Sequence, residues 1–106
     1  MMSLGNLLKQ AQAMQGRIEE MQQKLAEIEV EGRAGGGLVV ATMNGKGELK
    51  RLRVDPSLAR ADEVEVLEDL VVAACAEAKA KVEALAGEEM RKVTGGLPLP
   101  PGLKLF

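Results

Sequence analysis

Lys46, Lys50, Arg51 and Arg53 set four cations within eight positions of the stretch NGKGELKRLRVDPSL, residues 44–58. Clustered cations suit the binding of anions, phosphate above all. Catalysis has no comparable set of residues. The chain contains no histidine, which removes the commonest general base and metal ligand. Its single cysteine, Cys75, follows Ala74 on the apolar side of a helical pattern. No histidine or helix N-terminus lies near it in sequence to lower its pKa, so a buried, inert thiol is the expectation.

The glycines do not form a phosphate loop. That motif needs a glycine five residues before its Gly-Lys pair and a serine or threonine after it. Around Gly45-Lys46 those positions hold Val40 and Gly47. A dinucleotide turn would need a helix directly after Gly35-Gly36-Gly37, where LVVATM reads as a strand. Glu65, Glu68, Asp69, Glu77, Glu83, Glu88 and Glu89 track the outer face of a helix, as a solvated surface does, and they suggest no metal centre. The expectation is a protein that is not an enzyme, with no metal, no cofactor and no small-molecule substrate.

The formal charge of -2 hides a strong segregation. Residues 44–60 hold five basic and two acidic groups, residues 61–90 two basic and nine acidic, and residues 91–106 three basic and none acidic. On a strand, Arg51 and Arg53 share one face while Lys50 points away with Leu52 and Val54. Two readings stay open at this level. The cluster is the wet face of a hairpin, guarded by charge against further pairing, or it is an anion-binding face that a dimer would show twice. Single-stranded nucleic acid is commonly held by stacking on rings, and the chain's one aromatic residue is Phe106. A nucleic-acid ligand would therefore be a duplex, contacted at its phosphates.

The elements that must position these residues follow from periodicity. Leu4, Leu7, Ala11, Met14, Ile18, Met21, Leu25 and Ile28 recur at alternating intervals of three and four, a strict heptad seam that calls for a facing helix. Ser3 is its expected N-cap. EIEVEGR then alternates as a strand, Gly32 and the run Gly35-Gly36-Gly37 break it, LVVATM forms a second strand, and Asn44-Gly45 signals a hairpin into ELKRLRV. Asp55-Pro56 ends the sheet. Asp62 with Glu65 resembles a capping box for a long helix whose stripe is Val64, Leu67, Val71, Ala74, Ala78, Val82 and Leu85. Gly95-Gly96 stops that helix, and a Pro-rich tail follows over residues 95–106. The expected architecture is α+β, in the order α-β-β-β-α: a three-stranded antiparallel sheet flanked by two long helices, in one domain spanning residues 1–106. A core almost without rings is thin, so oligomerisation is the expected source of further burial. One cysteine, no apolar run of membrane length and no signal-peptide pattern point to a cytoplasmic protein with no membrane partner.

Four segments carry a resemblance: LGNLLKQAQAMQ (residues 4–15), VDPSL (54–58), LEDLVVAA (67–74) and GLPLPPGLK (96–104). In this combination and order the sequence resembles the YbaB/EbfC family of bacterial nucleoid-associated proteins. The resemblance implies a tweezer-shaped homodimer in the cytoplasm and nucleoid, binding double-stranded DNA through helices that frame its opening. On the helices the basic positions that match are Lys9, Arg17 and Lys24, then Lys79, Lys81, Arg91 and Lys92. The hairpin adds Lys46, Arg51 and Arg53 as candidates from its own charge. The acidity of residues 61–90 departs from what a DNA-facing helix needs. An adaptor that uses its helical seam to hold a protein partner is the alternative reading.

Overall fold

The computed structural model describes residues 3–95, in the order α1 (Leu4–Glu27), β1 (Glu29–Ala34), β2 (Val39–Asn44), β3 (Leu49–Val54) and α2 (Val64–Thr94). This is the α+β arrangement that the periodicities call for. The three strands form one antiparallel sheet in the order β1-β2-β3. Ser3 caps α1, its hydroxyl accepting from the Asn6 N–H at 3.2 Å. Between β1 and β2 the chain reverses through Gly35, Gly36 and Gly37, all at positive φ, which is why the turn is built of glycine alone.

The second reversal differs from the two-residue turn that Asn-Gly favours. The Asn44 N–H donates to the Glu48 carbonyl at 3.0 Å, and the Asn44 side chain accepts from the Lys46 and Glu48 N–H groups. Gly47 is the left-handed residue of the turn. Gly45 is drawn elsewhere: its N–H donates to the carbonyls of Leu25 at 2.7 Å and Ile28 at 2.9 Å. Carbonyls at the end of α1 lack intrahelical donors, and the hairpin supplies one. The loop thereby fixes where α1 meets the sheet.

α2 packs across β1 and β2 and scarcely touches β3. Its fully buried Ala74 and Ala78 lie on Gly32 of β1, where a Cβ would overlap the Ala74 carbonyl oxygen. Small residues on a glycine let helix and sheet close tightly. Val39, Ala41 and Met43 of β2, with Leu58 and Val82, complete this core. Leu49 and Leu52 pair with the inward-facing Met43 and Ala41, yet stay 49% and 42% exposed because α2 does not reach that edge.

Beyond the sheet, α2 continues alongside α1. Met21 and Leu25 pack with Met90 and Val93, supported by Ile18, Leu85 and Ala86. Lys24 meets Glu89, so residue numbers fall along α1 as they rise along α2 and the two helices are antiparallel. The product is a body with a helical arm, 70 × 24 × 17 Å in extent. Its radius of gyration, 19.1 Å, far exceeds the roughly 13 Å of a compact chain of this size.

Two expectations need correction. Asp62 does not cap α2: it lies in a short 3-10 turn, Ala61–Glu63, and pairs with Arg60 at 3.3 Å. That turn shifts the helix start downstream, and Glu63 precedes α2 without a side-chain capping bond. Cys75 packs against the core as expected but is only half-buried. The stop at Gly95 holds, with φ 66° at the helix end. The expected Pro-rich tail, from residue 96 onward, lies outside the described residues.

Candidate nucleic-acid interface

The arm displays its cations along two helices. Lys9 and Arg17 are exposed on α1 and have no ion pair among the described residues. Lys24 and Lys92 converge on one carboxylate, Glu89, at 3.0 Å and 3.2 Å. Glu89 is 8% exposed, and the hydrogen bond from Lys24, followed by that from Lys92, holds its pKa below the ordinary value. Arg91 is exposed beside them. Residues 3–24 and 85–95 together carry five cations against four carboxylates. The arm is therefore mildly basic, with two lysines engaged in clamping the helices together.

The sheet face away from α2 is more balanced. Arg51 and Arg53 do share it, as the period of two requires, while an extra residue at Lys50, a bulge opposite Thr42 and Met43, puts Leu49 on the other side with Leu52. Arg51 is committed to Glu29 at 2.6 Å, which lowers the Glu29 pKa and raises that of Arg51 through their mutual hydrogen bond. Arg33 is matched in the same way by Glu31 at 2.8 Å. Only Arg53 of these three has no ion pair among the described residues. An open groove of about 570 Å³ lies here, lined by Glu31, Val40, Thr42, Arg51, Leu52 and Arg53. Lys46 stands exposed at the hairpin tip.

Arg33 is the residue that the sequence reading passed over. The register Arg33↔Val40↔Arg53 sets two guanidinium side chains on either side of one buried valine. The signal was present in the strand alternation, but it needed the pairing partner of each residue. Lys81, by contrast, acts as a fastener: its ammonium donates to the Glu31 carbonyl at 2.6 Å and pairs with Glu77 at 3.4 Å. Glu77 also accepts the Arg33 N–H at 3.1 Å, and that bond, ahead of Lys81, lowers its pKa. Lys79 is exposed on α2. Glu65, Glu68 and Asp69 are exposed in the part of α2 that crosses the sheet, and the arm lies at the other end of that helix.

Fold and surface thus define a small, elongated α+β protein with a mildly basic two-helix arm and an excess of acid along the part of α2 that crosses the sheet. The chain belongs to the YbaB/EbfC DNA-binding family, whose model matches residues 1–97. It is 57% identical to a nucleoid-associated protein of Granulibacter bethesdensis over 105 residues, covering 99% of this chain and 98% of that protein. A nucleoid-associated protein of Agrobacterium fabrum is 53% identical over the same length, with the same coverage. One of Rhodospirillum centenum is 58% identical, again over 99% of this chain and 98% of that protein. In fold it is similar to an uncharacterised protein of Helicobacter pylori, with a TM-score of 0.83, 23% identity, 90% of this chain and all of that one covered. The family is described by DNA binding and not by a catalysed reaction. Among the described residues no helix is long and apolar enough to cross a membrane, and no group of His, Cys, Asp or Glu could hold a metal ion.

Proposed function

We propose that a homodimer of this chain binds double-stranded DNA through its phosphates and helps to organise the chromosome in the nucleoid. The carrying observation is the placement of Lys9, Arg17, Arg91 and Lys92 along one arm, at a distance from the acidic first half of α2. Phosphate neutralisation needs only displayed charge, and any preference among sequences would come from groove shape or deformability. Near-absence of rings favours a duplex over single strands. Family membership and the names of the relatives support the same reading.

The dimer rests on Leu49 and Leu52. These leucines sit on the inward side of β3, where α2 leaves them open, and a second copy would cover them. The bulge at Lys50 blunts the strand edge, so contact through this face is favoured over edge-to-edge pairing. Two arms then project from one dimer, and each cation appears twice.

A gel-shift series with duplex DNA at rising salt tests the reading. Retention at 50 mM and steep release by about 200 mM salt is the expected result. No retardation at micromolar protein and low salt refutes it. Equal retention of single strands of the same length refutes the preference for duplex.

A further inference from the structure

One glycine of the β2–β3 loop is there for space and not for conformation. Gly47 supplies the left-handed turn, with φ 85°, whereas the φ of Gly45 lies outside that region. Gly45 is buried, and its N–H donates to the carbonyls of Leu25 at 2.7 Å and Ile28 at 2.9 Å. A Cβ at this position would stand 2.6 Å from the Leu25 carbonyl oxygen and 3.0 Å from the Leu25 Cα. Both are backbone atoms at a helix end, so no side chain can swing aside to admit it.

The loop is braced from within. Asn44 is 1% exposed, and its side chain accepts from the Lys46 and Glu48 N–H groups at 3.0 Å each and donates to the Glu48 carboxylate at 2.7 Å. On its other side, a Cβ on Gly47 would lie 4.0 Å from the Val82 side chain, near where α2 leaves the sheet. The loop therefore stands in the fork where both helices of the arm meet the body. Further out, α1 is held by Met21, buried with Met90 and Val93, and by Lys24 on Glu89.

We infer that Gly45 is a positioning residue of the arm: its close approach to Leu25 sets the direction of α1, and with it the places of Lys9 and Arg17. Only the consequence for binding rests on the DNA reading above, because the direction is a property of the fold. A methyl at Gly45 falls about 0.8 Å inside the 3.4 Å at which ordinary contact begins. With Met21 as pivot, about 6 Å from Leu25, the helix would turn by about 8°, and Lys9, about 18 Å beyond the pivot, would move by about 2.4 Å. A charge-assisted bond to phosphate spans only about 2.7–2.9 Å, so a shift of this size draws it out or breaks it. A stiff duplex held by two arms at once cannot follow the shift, and a flexible polyanion can. Gly45 thereby favours a stiff anion without touching it.

Direction and binding are read separately. Residual dipolar couplings of the α1 amides, set against those of the three strands, should show the helix turned by about 8° in Gly45→Ala. Gly16→Ala, on α1 with nothing within 4 Å of the new methyl, should leave the direction unchanged. Duplex affinity of Gly45→Ala at 0.1 M salt should fall by about eightfold or more, the effect of one phosphate contact at a slope of about 0.9. Affinity for inorganic polyphosphate should change by less than about twofold, since no cation is lost. An unturned helix overturns the inference, and so does an equal fall for both anions. The parent decides the matter even if the variant does not fold: the Gly45 amide should exchange as slowly as those of β2, and exchange at the rate of an open turn overturns the inference. A parent that binds no duplex would sink the proposed function and the selectivity drawn from it, whereas the couplings decide the direction by themselves.

Discussion

The arm and the open sheet face compete for the role of DNA contact, and a charge-matched pair of double variants separates them. Lys9→Gln with Arg17→Gln removes two cations from the arm, and Arg51→Gln with Arg53→Gln removes two from the sheet. Net charge changes equally, so any general electrostatic effect is the same in both. Each phosphate contact contributes about 0.9 to the slope of log affinity against log salt. In a dimer the arm variant loses four contacts, and its slope should be shallower by about 3.6. Its disadvantage relative to the parent should shrink by about 150-fold between 50 and 200 mM salt. The sheet variant should change the slope by less than about 1. Arg51 is already held at 2.6 Å by Glu29, which leaves it little charge to offer a phosphate. Fluorescence anisotropy of a labelled duplex across a salt series supplies both slopes, with circular dichroism as the check on folding. Equal slopes for the two variants, or a larger change for the sheet variant, would refute the assignment to the arm.

Three further outcomes follow from the packing and the ionisation. Gly32→Ala forces a methyl into the α2 backbone at Ala74 and Ala78, so stability should fall by about 3 kcal/mol or more; Gly87→Ala, with nothing within 4 Å of the new methyl, should gain about 0.5–1 kcal/mol in the same urea titration. Glu89 has a folded-state pKa held below 4.5 by Lys24 and Lys92, so its stabilising effect is present above that value and is lost as pH falls through the depressed one. Thermal melts of the parent should therefore lose stability on acidification from pH 5 to pH 3, and Glu89→Gln should flatten that part of the dependence. Leu49→Asp with Leu52→Asp places two carboxylates on the uncovered side of β3, and sedimentation should show a monomer; a dimer of undiminished stability would place the interface elsewhere.

Local signals made most of the fold legible. The heptad intervals of α1, the alternation of β1, the glycine turn and the stop at Gly95 are all written in neighbouring residues, and the structure has each of them. What was missed depends on residues far apart. Gly32 looked like a strand breaker, and only the passage of Ala74 and Ala78 over it shows that it permits close packing within β1. Asp62 and Glu65 have capping-box spacing, but the 3-10 turn Ala61–Glu63 moves the helix start beyond it. The candidate site shows the same division. Its cations can be counted in the sequence, yet which of them are already engaged cannot. Arg51 finds its partner 22 positions away, Lys81 donates across 50 and Lys24 across 65.

The acidity of α2 becomes intelligible once its two halves are separated. Residues 64–83 carry five carboxylates against two lysines, and this is the stretch that crosses the sheet. Past Val82 the helix leaves the sheet for α1, and Arg91 and Lys92 appear within its last turn. The reversal in charge therefore coincides with a change in what the helix is for. Over the body, a carboxylate surface repels a polyanion; along the arm, the balance tips to attraction. A chain with a formal charge of -2 can in this way present a basic edge, because the field near an elongated molecule follows the nearest charges within about a Debye length, roughly 8–10 Å, and not the total. On the proposed reading the repulsive half is an orienting element: it disfavours phosphate on the α2 side of the body and leaves the arm and the far sheet face as the approaches that the paired variants distinguish.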